Sequence, residues 1–246
     1  MIHKIRIGLI GYGKTGKAVA NVFSSDSRFE LCWIARSTVS EGVQTHPDTA
    51  VPIFGMERQS FERLFDSYPV DAIVDFSSAK AVHRYGELVR KRGMMLVSAI
   101  SSYSESDLAY IRSLAQSARV MCSPNITLGI NLLMMAANLL RKAAPFADVE
   151  IIEQHFKEKP EVSGTALKIA ENLGLRKNQV TSLRLGGIVG EHEVIFGFPH
   201  QTVRLAHSSI RREAFGAGAA FALSHLSVCG NGFYTFEDLL LRAAYR

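Results

Sequence analysis

The stretch of residues 150–166 contains the side chains best suited to acid–base chemistry. A strand is predicted over residues 149–154, and alternation along it places Glu153 and His155 on one side. His155 and Lys159 can each supply a proton, and Lys159 can also neutralise an anion. A hydride-delivering cofactor needs such a proton donor, because a reduced C=C or C=N bond must also be protonated. In the alternative interpretation, His155 only ends the strand and Lys159 lies in a solvated loop.

The same stretch ends at a predicted helix N-terminus that is suited to a carboxylate. The free N–H groups and the dipole of a first helical turn attract anions. Here the turn also carries a glycine and two hydroxyls, in the order Ser163, Gly164 and Thr165. We therefore expect this turn to bind a small carboxylate substrate.

A glycine motif of the form G-x-G-x-x-G lies between a predicted strand, residues 5–10, and a predicted amphipathic helix, residues 14–23. In a dinucleotide site the first glycine permits a tight turn, the second leaves room for the pyrophosphate, and the third lets the helix pack close to the strand. The candidate cofactor-binding residues are therefore Gly11, Gly13, Lys14, Thr15 and Gly16. The alternative is a glycine-rich turn without a ligand.

The end of the next predicted strand, residues 30–35, bears on the choice between NADPH and NADH. A carboxylate at this point usually holds the ribose 2′-hydroxyl of NAD. This chain has Arg36 there, and a guanidinium can bind a 2′-phosphate through two charge-assisted hydrogen bonds. We expect NADPH as the cofactor, with NADH possible, unless Arg36 is only a solvated loop cation.

Strands and helices alternate through the first half of the chain. Helices are predicted over residues 79–92 and 105–115, and short apolar strands over residues 70–76, 94–99 and 120–122. Such alternation is typical of βαβ units with right-handed crossovers. It predicts an α/β fold with a Rossmann-type, doubly wound parallel sheet.

The pattern changes after Pro124. Helices are predicted over residues 128–144, 163–173 and 212–246, and closely spaced strands over residues 182–189, 192–198 and 201–207. Short connections favour a mainly antiparallel open sheet, and hence a second, α+β domain. We expect residues 1–124 with 212–246 to form the dinucleotide-binding domain, and residues 125–211 to form the domain for substrate binding and oligomerisation.

The composition excludes several classes of protein. Hydrophobic residues make up 47% of the chain and charged residues 21%, as in a soluble globular protein. No apolar run approaches the about 18 residues of a membrane span, and no secretory signal is visible. The formal charge of +5 is spread along the chain, which fits anionic small molecules and not nucleic acid. The three cysteines lack metal-ligand spacing, so we expect no metal and a reducing, cytoplasmic compartment.

Taken together, these motifs resemble the dihydrodipicolinate reductase family of bacterial lysine synthesis. The family signature is approximately E-x-H-H-x-x-K-x-D-A-P-S-G-T-A, and this chain matches it in order with Glu153, His155, Lys159 and Ser163-Gly164-Thr165-Ala166. Four further family motifs are matched in order along the chain: Asp75-Phe76-Ser77, Pro124 to Asn131, Gly187 to His192, and the set His207, Arg212 and Phe215.

The resemblance implies specific roles. His155 would be the general acid, Lys159 would bind and polarise the substrate, and the turn that begins at Ser163 would hold a substrate carboxylate. The substrate would be 4-hydroxy-tetrahydrodipicolinate, a dicarboxylate that is reduced to tetrahydrodipicolinate, and the protein would be a homotetramer. The resemblance also places a set of residues beside the cofactor: Phe76, Ser77, Ala99, Ser101, Pro124, Asn125, Thr127, Arg212 and Phe215.

The chain departs from the family pattern at several positions. Phe156 replaces the second histidine of the family's pair at a substrate-binding position, which removes a polar contact worth about 1–3 kcal/mol. The loop before Ser163 is one residue shorter, and Ser78 stands where the family often has arginine. The family's G-T-T-G loop is Ala99-Ile100-Ser101-Ser102 here, so its backbone must approach the cofactor differently.

These departures leave two alternatives open. One is a related NAD(P)H-dependent reductase that acts on a different cyclic imine or amino acid. The other is a dinucleotide-binding protein without catalysis, against which the retained His155, Lys159 and Ser163 argue.

Overall fold

The computed structural model describes residues 4–38, 44–57 and 59–245. The chain divides into two compact units, Met1–Ile126 with Phe215–Arg246, and Thr127–Ala214. No helix in the described ranges is long and apolar enough to cross a membrane.

Twelve strands and eight α-helices are found within the described ranges. In chain order they are β1 (Ile5–Ile10), α1 (Lys14–Ser25), β2 (Phe29–Arg36), β3 (Gln44–Thr45), β4 (Pro52–Gly55), α2 (Phe61–Ser67), β5 (Ala72–Asp75), α3 (Val82–Lys91), β6 (Met95–Ser98), α4 (Glu105–Leu114), β7 (Arg119–Cys122), α5 (Leu128–Ala143), β8 (Asp148–His155), α6 (Gly164–Asn172), β9 (Val180–Arg184), β10 (Glu191–Phe198), β11 (Gln201–Ser208), α7 (Glu213–Leu226), β12 (Gly232–Tyr234) and α8 (Phe236–Ala244).

The first unit is built on an eight-stranded sheet with the order β12-β7-β6-β5-β1-β2-β4-β3. Its strands are parallel, except that β3 runs antiparallel to β4. Because β1 lies between β2 and β5, the strand order reverses beside the loop that follows β1, which is where such sheets bind ligands. The predicted Rossmann-type sheet is confirmed.

Two parts of this unit differ from the sequence-based expectation. The elements β3, β4 and α2 were not predicted, because they are short and lack a clear hydrophobic period. The segment 212–246 is not helical throughout, since β12 interrupts it and pairs in parallel with β7. Arg246 lies outside the described residues.

The core of the first unit forms around the apolar strands and the helices packed on them. Trp33 of β2 is fully buried, and its indole N–H donates to the carbonyl of Tyr68 at 3.0 Å. A Cβ added to Gly8 of β1 would lie 2.2 Å from the Trp33 ring, so only glycine fits there. This packing sets β1 against β2 and so fixes the start of the glycine loop.

The second unit has a four-stranded sheet with the order β11-β10-β8-β9. β10 is antiparallel to both β11 and β8, and β9 is parallel to β8, so the predicted mainly antiparallel sheet is confirmed. Buried side chains of α5 and α6, among them Ile130 and Ile169, pack with Ile151 of β8. β9 ends at Arg184, five residues before the predicted end, because Gly186 takes a φ of +47° and turns the chain.

Candidate active site

The three glycines of the loop after β1 are required for different reasons. Gly11 has a φ of +97°, and a Cβ there would lie 2.6 Å from the backbone carbon of Phe76. A Cβ on Gly16 would lie 2.0 Å from the carbonyl oxygen of Gly11. A Cβ on Gly13 would meet nothing within 4 Å. The fold therefore demands glycine at Gly11 and Gly16, whereas the missing side chain of Gly13 leaves open space in front of α1.

The N-terminus of α1 is suited to a pyrophosphate. Gly13 is its N-cap residue and, having no side chain, it makes no capping hydrogen bond to the first turn. The first N–H groups of a helix have no partner inside the helix and favour an anion. Lys14 is exposed and Thr15 is half-buried at this turn. The site therefore fits a dinucleotide in both shape and charge.

A cavity of about 460 Å³ lies beside the glycine loop. Five predicted cofactor-binding residues line it: Gly11, Gly13, Arg36, Phe76 and Ser77. Sequence reasoning missed two further cations in its wall, Lys80 and Arg84. The sequence did carry a sign of them, because Lys80 and Arg84 are four residues apart at the start of the predicted helix 79–92. That helix follows a parallel strand, and ligands bind at such strand ends.

A second cavity of about 310 Å³ is lined largely by residues that sequence analysis predicted: Thr15, Phe76, Ser77, Ala99, Ser101, Pro124 and Phe215. Phe76 and Phe215 pack edge to face with ring centroids 6.4 Å apart. Phe76 and Ser77 line both cavities. The first unit therefore brings most of the predicted cofactor residues to two cavities that share one wall.

A buried carboxylate holds that shared wall in place. Asp75, at the end of β5, accepts hydrogen bonds from the backbone N–H and the hydroxyl of Ser77, and from the Tyr85 hydroxyl at 2.5 Å. Burial raises the pKa of Asp75 to about 6, although the hydrogen bonds from Ser77 and Tyr85 oppose this rise. The network fixes the conformation of the loop that follows β5.

Five predicted cofactor residues do not line these cavities. Lys14 and Gly16 lie in α1. Asn125 lies in a turn where the Ser123 hydroxyl donates to its carbonyl at 2.6 Å. Thr127 and Arg212 belong to the second unit, where Thr127 is the N-cap residue of α5.

The second unit brings Glu153 and His155 together on β8, as the strand alternation predicts. Both side chains are buried, and His155 Nδ1 lies 2.5 Å from Glu153 Oε2. A Cβ added to Gly190 would lie 3.0 Å from His155 Nε2. The imidazole therefore contacts Glu153 through Nδ1, and its Nε2 lies close to Gly190.

Glu153 is the centre of a hydrogen-bond network. It accepts from Ser182 Oγ at 2.7 Å, from Ser163 N at 3.1 Å, and from two nitrogens of Arg184 at 2.9 and 3.0 Å. Burial by itself raises the pKa of Glu153, but the hydrogen bonds from Arg184, Ser182, His155 and Ser163 outweigh it and lower the pKa to about 2. The carboxylate is therefore ionised at neutral pH and can support a positive charge on His155.

Ser163 connects this network to β10. Its hydroxyl caps α6 by accepting from Ala166 N, and it lies 2.8 Å from His192 Nε2. Burial, together with repulsion from His155 and His207, lowers the pKa of His192 to about 4, so His192 is neutral. In the described ranges, His192 Nδ1 and His207 Nδ1 are buried polar atoms with no hydrogen-bond partner.

The remaining predicted residues of this site lie on the loop before α6 and at the start of that helix. Phe156 is 40% exposed, and its carbonyl accepts from the Lys159 N–H at 3.1 Å. Lys159 and Thr165 are half-buried, and Gly164 is exposed. A Cβ on Gly164 would meet nothing within 4 Å, so the start of α6 is open for a ligand.

Sequence reasoning missed the contribution of Ser182, Arg184 and His192 to this network. Ser182 and Arg184 alternate on a predicted strand, which was a signal that they share a face. Their pairing with Glu153 depends on β9 lying parallel to β8, which no local pattern indicates. Within the described ranges no group of three or more His, Cys, Asp or Glu side chains is arranged to hold a metal ion.

The parallel sheet and the glycine loop define a Rossmann-type dinucleotide-binding protein. The family models described as "Dihydrodipicolinate reductase, N-terminus" and "Dihydrodipicolinate reductase, C-terminus" match residues 5–126 and 126–240. The chain therefore belongs to the dihydrodipicolinate reductase family and is an NAD(P)H-dependent oxidoreductase.

Individual relatives agree with this assignment. A 4-hydroxy-tetrahydrodipicolinate reductase of Thermosipho africanus is 30% identical over 97% of this chain and 99% of its own. One of Caldanaerobacter subterraneus is 28% identical over 93% of this chain and 94% of its own. A solved structure of dipicolinate-bound dihydrodipicolinate reductase from Paenisporosarcina sp. TG-14 has the same fold, with a TM-score of 0.81, 21% identity, and coverage of 95% of this chain and 98% of that one.

Proposed function

We propose that the chain reduces 4-hydroxy-tetrahydrodipicolinate to tetrahydrodipicolinate with NADPH, in the synthesis of diaminopimelate and lysine. The observation that carries the proposal is the contact between Glu153 and His155 beside the turn that begins at Ser163. The relatives named above are reductases of this substrate, and the related solved structure binds dipicolinate, a cyclic dicarboxylate. The test is oxidation of NADPH in the presence of substrate made in situ by its synthase.

The first unit would hold the dinucleotide, which supplies a hydride when it is bound. The N-terminus of α1 and Gly13 would hold the pyrophosphate, and Lys14 and Thr15 lie in the same turn. The remaining cofactor contacts would come from the two cavities of this unit and from the residues that the family pattern adds: Phe76, Ser77, Ala99, Ser101, Pro124, Asn125, Thr127, Arg212 and Phe215.

His155 would act as the general acid. Because Glu153 accepts the Nδ1 proton, Nε2 is the nitrogen left to donate, and the imidazolium form would give its proton to the substrate from there. The hydroxyl of the substrate leaves as water, the resulting unsaturated imine takes up a hydride, and His155 protonates the enamine that forms. Glu153, held ionised by Arg184 and Ser182, stabilises the charged imidazole before the proton leaves.

The turn that opens α6 would hold a substrate carboxylate. Ser163, Gly164 and Thr165 supply backbone N–H groups, hydroxyls and the positive end of the helix dipole. Lys159 would neutralise and polarise the substrate from the preceding loop. The same geometry favours a compact dicarboxylate over an uncharged substrate.

The proposal of NADPH as the cofactor, in place of NADH, is supported by three cationic side chains that line one cavity. Arg36, Lys80 and Arg84 all line the cavity next to the glycine loop, and none of the described residues that line it is a carboxylate. Arg84 also donates to the Met56 carbonyl at 2.6 Å, which limits its freedom, and Arg36 and Lys80 would add positive charge for a 2′-phosphate.

Replacing Arg36 by alanine tests this choice of cofactor. We expect the preference for NADPH over NADH, measured as the ratio of the two kcat/KM values, to fall about tenfold, as expected for losing one charge-assisted contact. Arg242→Ala, in α8, is the matched control and should leave the ratio unchanged. An unchanged ratio in Arg36→Ala would show that Arg36 does not recognise the 2′-phosphate.

Phe156 favours a second candidate function within the same class. Its exposed ring lies at a substrate-binding position of the family pattern, where it offers a surface for stacking and no hydrogen bond. A related cyclic imine or amino acid with one polar group fewer would suit it. Comparing such compounds with 4-hydroxy-tetrahydrodipicolinate in one reduction assay distinguishes the two candidates.

We further propose the roles of the two units and the state of the protein. Residues 1–124 with 212–246 would bind the dinucleotide, and residues 125–211 would bind substrate and form the oligomer. The protein would be a cytoplasmic homotetramer, as the family pattern implies.

A further inference from the structure

Arg184, at the end of β9, uses every N–H donor that its guanidinium has. Two donate to the two oxygens of Glu153, at 3.0 Å from Nη1 and 2.9 Å from Nη2. The other three donate to backbone carbonyls: Nε to Lys159 at 3.0 Å, Nη2 to Glu161 at 2.8 Å, and Nη1 to Leu183 at 2.8 Å. A guanidinium has five donors in a planar fork, so none is left over.

Four of these five bonds join two parts of the candidate site. One part is Glu153, which accepts a hydrogen bond from Nδ1 of His155. The other is the loop from Phe156 to Val162, whose carbonyls at Lys159 and Glu161 are fixed by the same side chain. The side chain of Arg184 is only 21% exposed, so water does not readily replace these bonds.

We infer that Arg184 is a positioning residue, which sets the tautomer of His155 through Glu153 and holds the loop that carries Lys159. This inference rests on the proposed function for its effect on turnover, but its effect on His155 is independent of any substrate.

Lysine is the informative replacement. Arg184→Lys keeps the charge but offers three donors from one nitrogen, so it cannot bind both Glu153 oxygens and two separate loop carbonyls. If Arg184 only balanced the charge of Glu153, Arg184→Lys would keep the wild-type His155 tautomer and kcat. If Arg184 positions Glu153 and the loop, both should change. Arg204→Lys is the matched control, because Arg204 also pairs with a glutamate of the same sheet, Glu193 at 3.0 Å, but at an exposed site.

The first measurement is ¹⁵N NMR of the imidazole of His155 in the full chain, assigned by its loss in His155→Gln. In the wild type we expect the neutral ring to carry its proton on Nδ1, because Glu153 accepts it. Arg184→Lys should give a mixture of the two tautomers, and Arg204→Lys should match the wild type. A wild-type tautomer in folded Arg184→Lys would overturn the inference.

The second measurement is turnover with NADPH and substrate made in situ. We expect kcat to fall about tenfold or more in Arg184→Lys, with NADPH affinity unchanged, since an interaction that acts only on the chemical step lowers kcat. In Arg184→Ala, added millimolar guanidinium should restore part of the lost kcat and part of the Nδ1 tautomer. Loss of kcat with a wild-type tautomer and no rescue would mean that Arg184 is merely structural.

The two failures are distinguishable. If the wild type does not oxidise NADPH, the proposed function fails, while the NMR comparison still decides the role of Arg184. If the wild type turns over and Arg184→Lys equals it in kcat and in the tautomer of His155, the inference fails and the proposed function stands.

Discussion

We expect replacement of His155 by alanine to lower kcat about 10²-fold or more, while the affinity for NADPH stays within about twofold of the wild type. The reason is that the change removes the proposed proton donor, which belongs to the second unit, whereas the cavities that would hold the dinucleotide are lined by residues of the first unit. The measurements are steady-state kinetics of NADPH oxidation and a separate titration of NADPH fluorescence.

The structure indicates that this variant folds. Glu153 keeps the hydrogen bonds from Arg184, Ser182 and Ser163 when the imidazole is gone, so no buried charge is left unpaired. His83→Ala serves as the control, because His83 pairs with Asp107 on the exposed surface of the first unit. A kcat for His155→Ala close to that of the wild type would rule out His155 as the general acid.

We expect replacement of Gly13 by valine to weaken dinucleotide binding strongly without unfolding the protein. The backbone of Gly13 has a φ of −79° and a ψ of −163°, which a β-branched residue adopts readily. A Cβ there meets no atom of the described residues within 4 Å, so the side chain would occupy the space that the pyrophosphate needs. We expect the Kd for NADPH to rise about 100-fold, equivalent to about 3 kcal/mol, with an unchanged Tm.

Two further glycine variants make this prediction specific. Gly230→Val, in the same unit, also has open space around its Cβ and should change neither the Tm nor the Kd. Gly16→Val should lower the Tm strongly, because its Cβ would lie 2.0 Å from the Gly11 carbonyl oxygen. Wild-type NADPH affinity in Gly13→Val would mean that this loop does not hold the pyrophosphate.

Local patterns were sufficient to predict the parts of the site that lie on one element. The order of β1, glycine loop and α1 follows from a short apolar run, three glycines and an amphipathic period. Alternation along β8 places Glu153 and His155 on one face, and the structure has both side chains buried and in contact. Ser163 caps α6, as expected for a serine that precedes a helical period.

Features that depend on distant segments were not predictable in this way. Arg184 meets Glu153 only because β9 runs parallel to β8, and this pairing joins strands that are separated by a helix. β12 has three residues and is a strand only because β7 lies next to it. Lys80 and Arg84 become neighbours of Arg36 through the order of β5, β1 and β2 in the sheet.

The pH behaviour of the site follows from the same network. Because Glu153 has a pKa of about 2, it stays ionised at any pH well above 2, so a negative charge remains in contact with His155 Nδ1 there. Stability that comes from this lowered pKa is present above the ordinary pKa of a glutamate and is lost as the pH falls toward 2. The network therefore keeps the ionised carboxylate of Glu153 in contact with His155, the proposed acid.

The most direct test of the central claim is a single coupled assay. The wild-type chain is mixed with NADPH while a synthase produces 4-hydroxy-tetrahydrodipicolinate, and the absorbance of NADPH is followed beside a control reductase under the same conditions. The account predicts oxidation of NADPH that depends on the synthase, with formation of tetrahydrodipicolinate. No oxidation by this chain, where the control reductase is active, would contradict it.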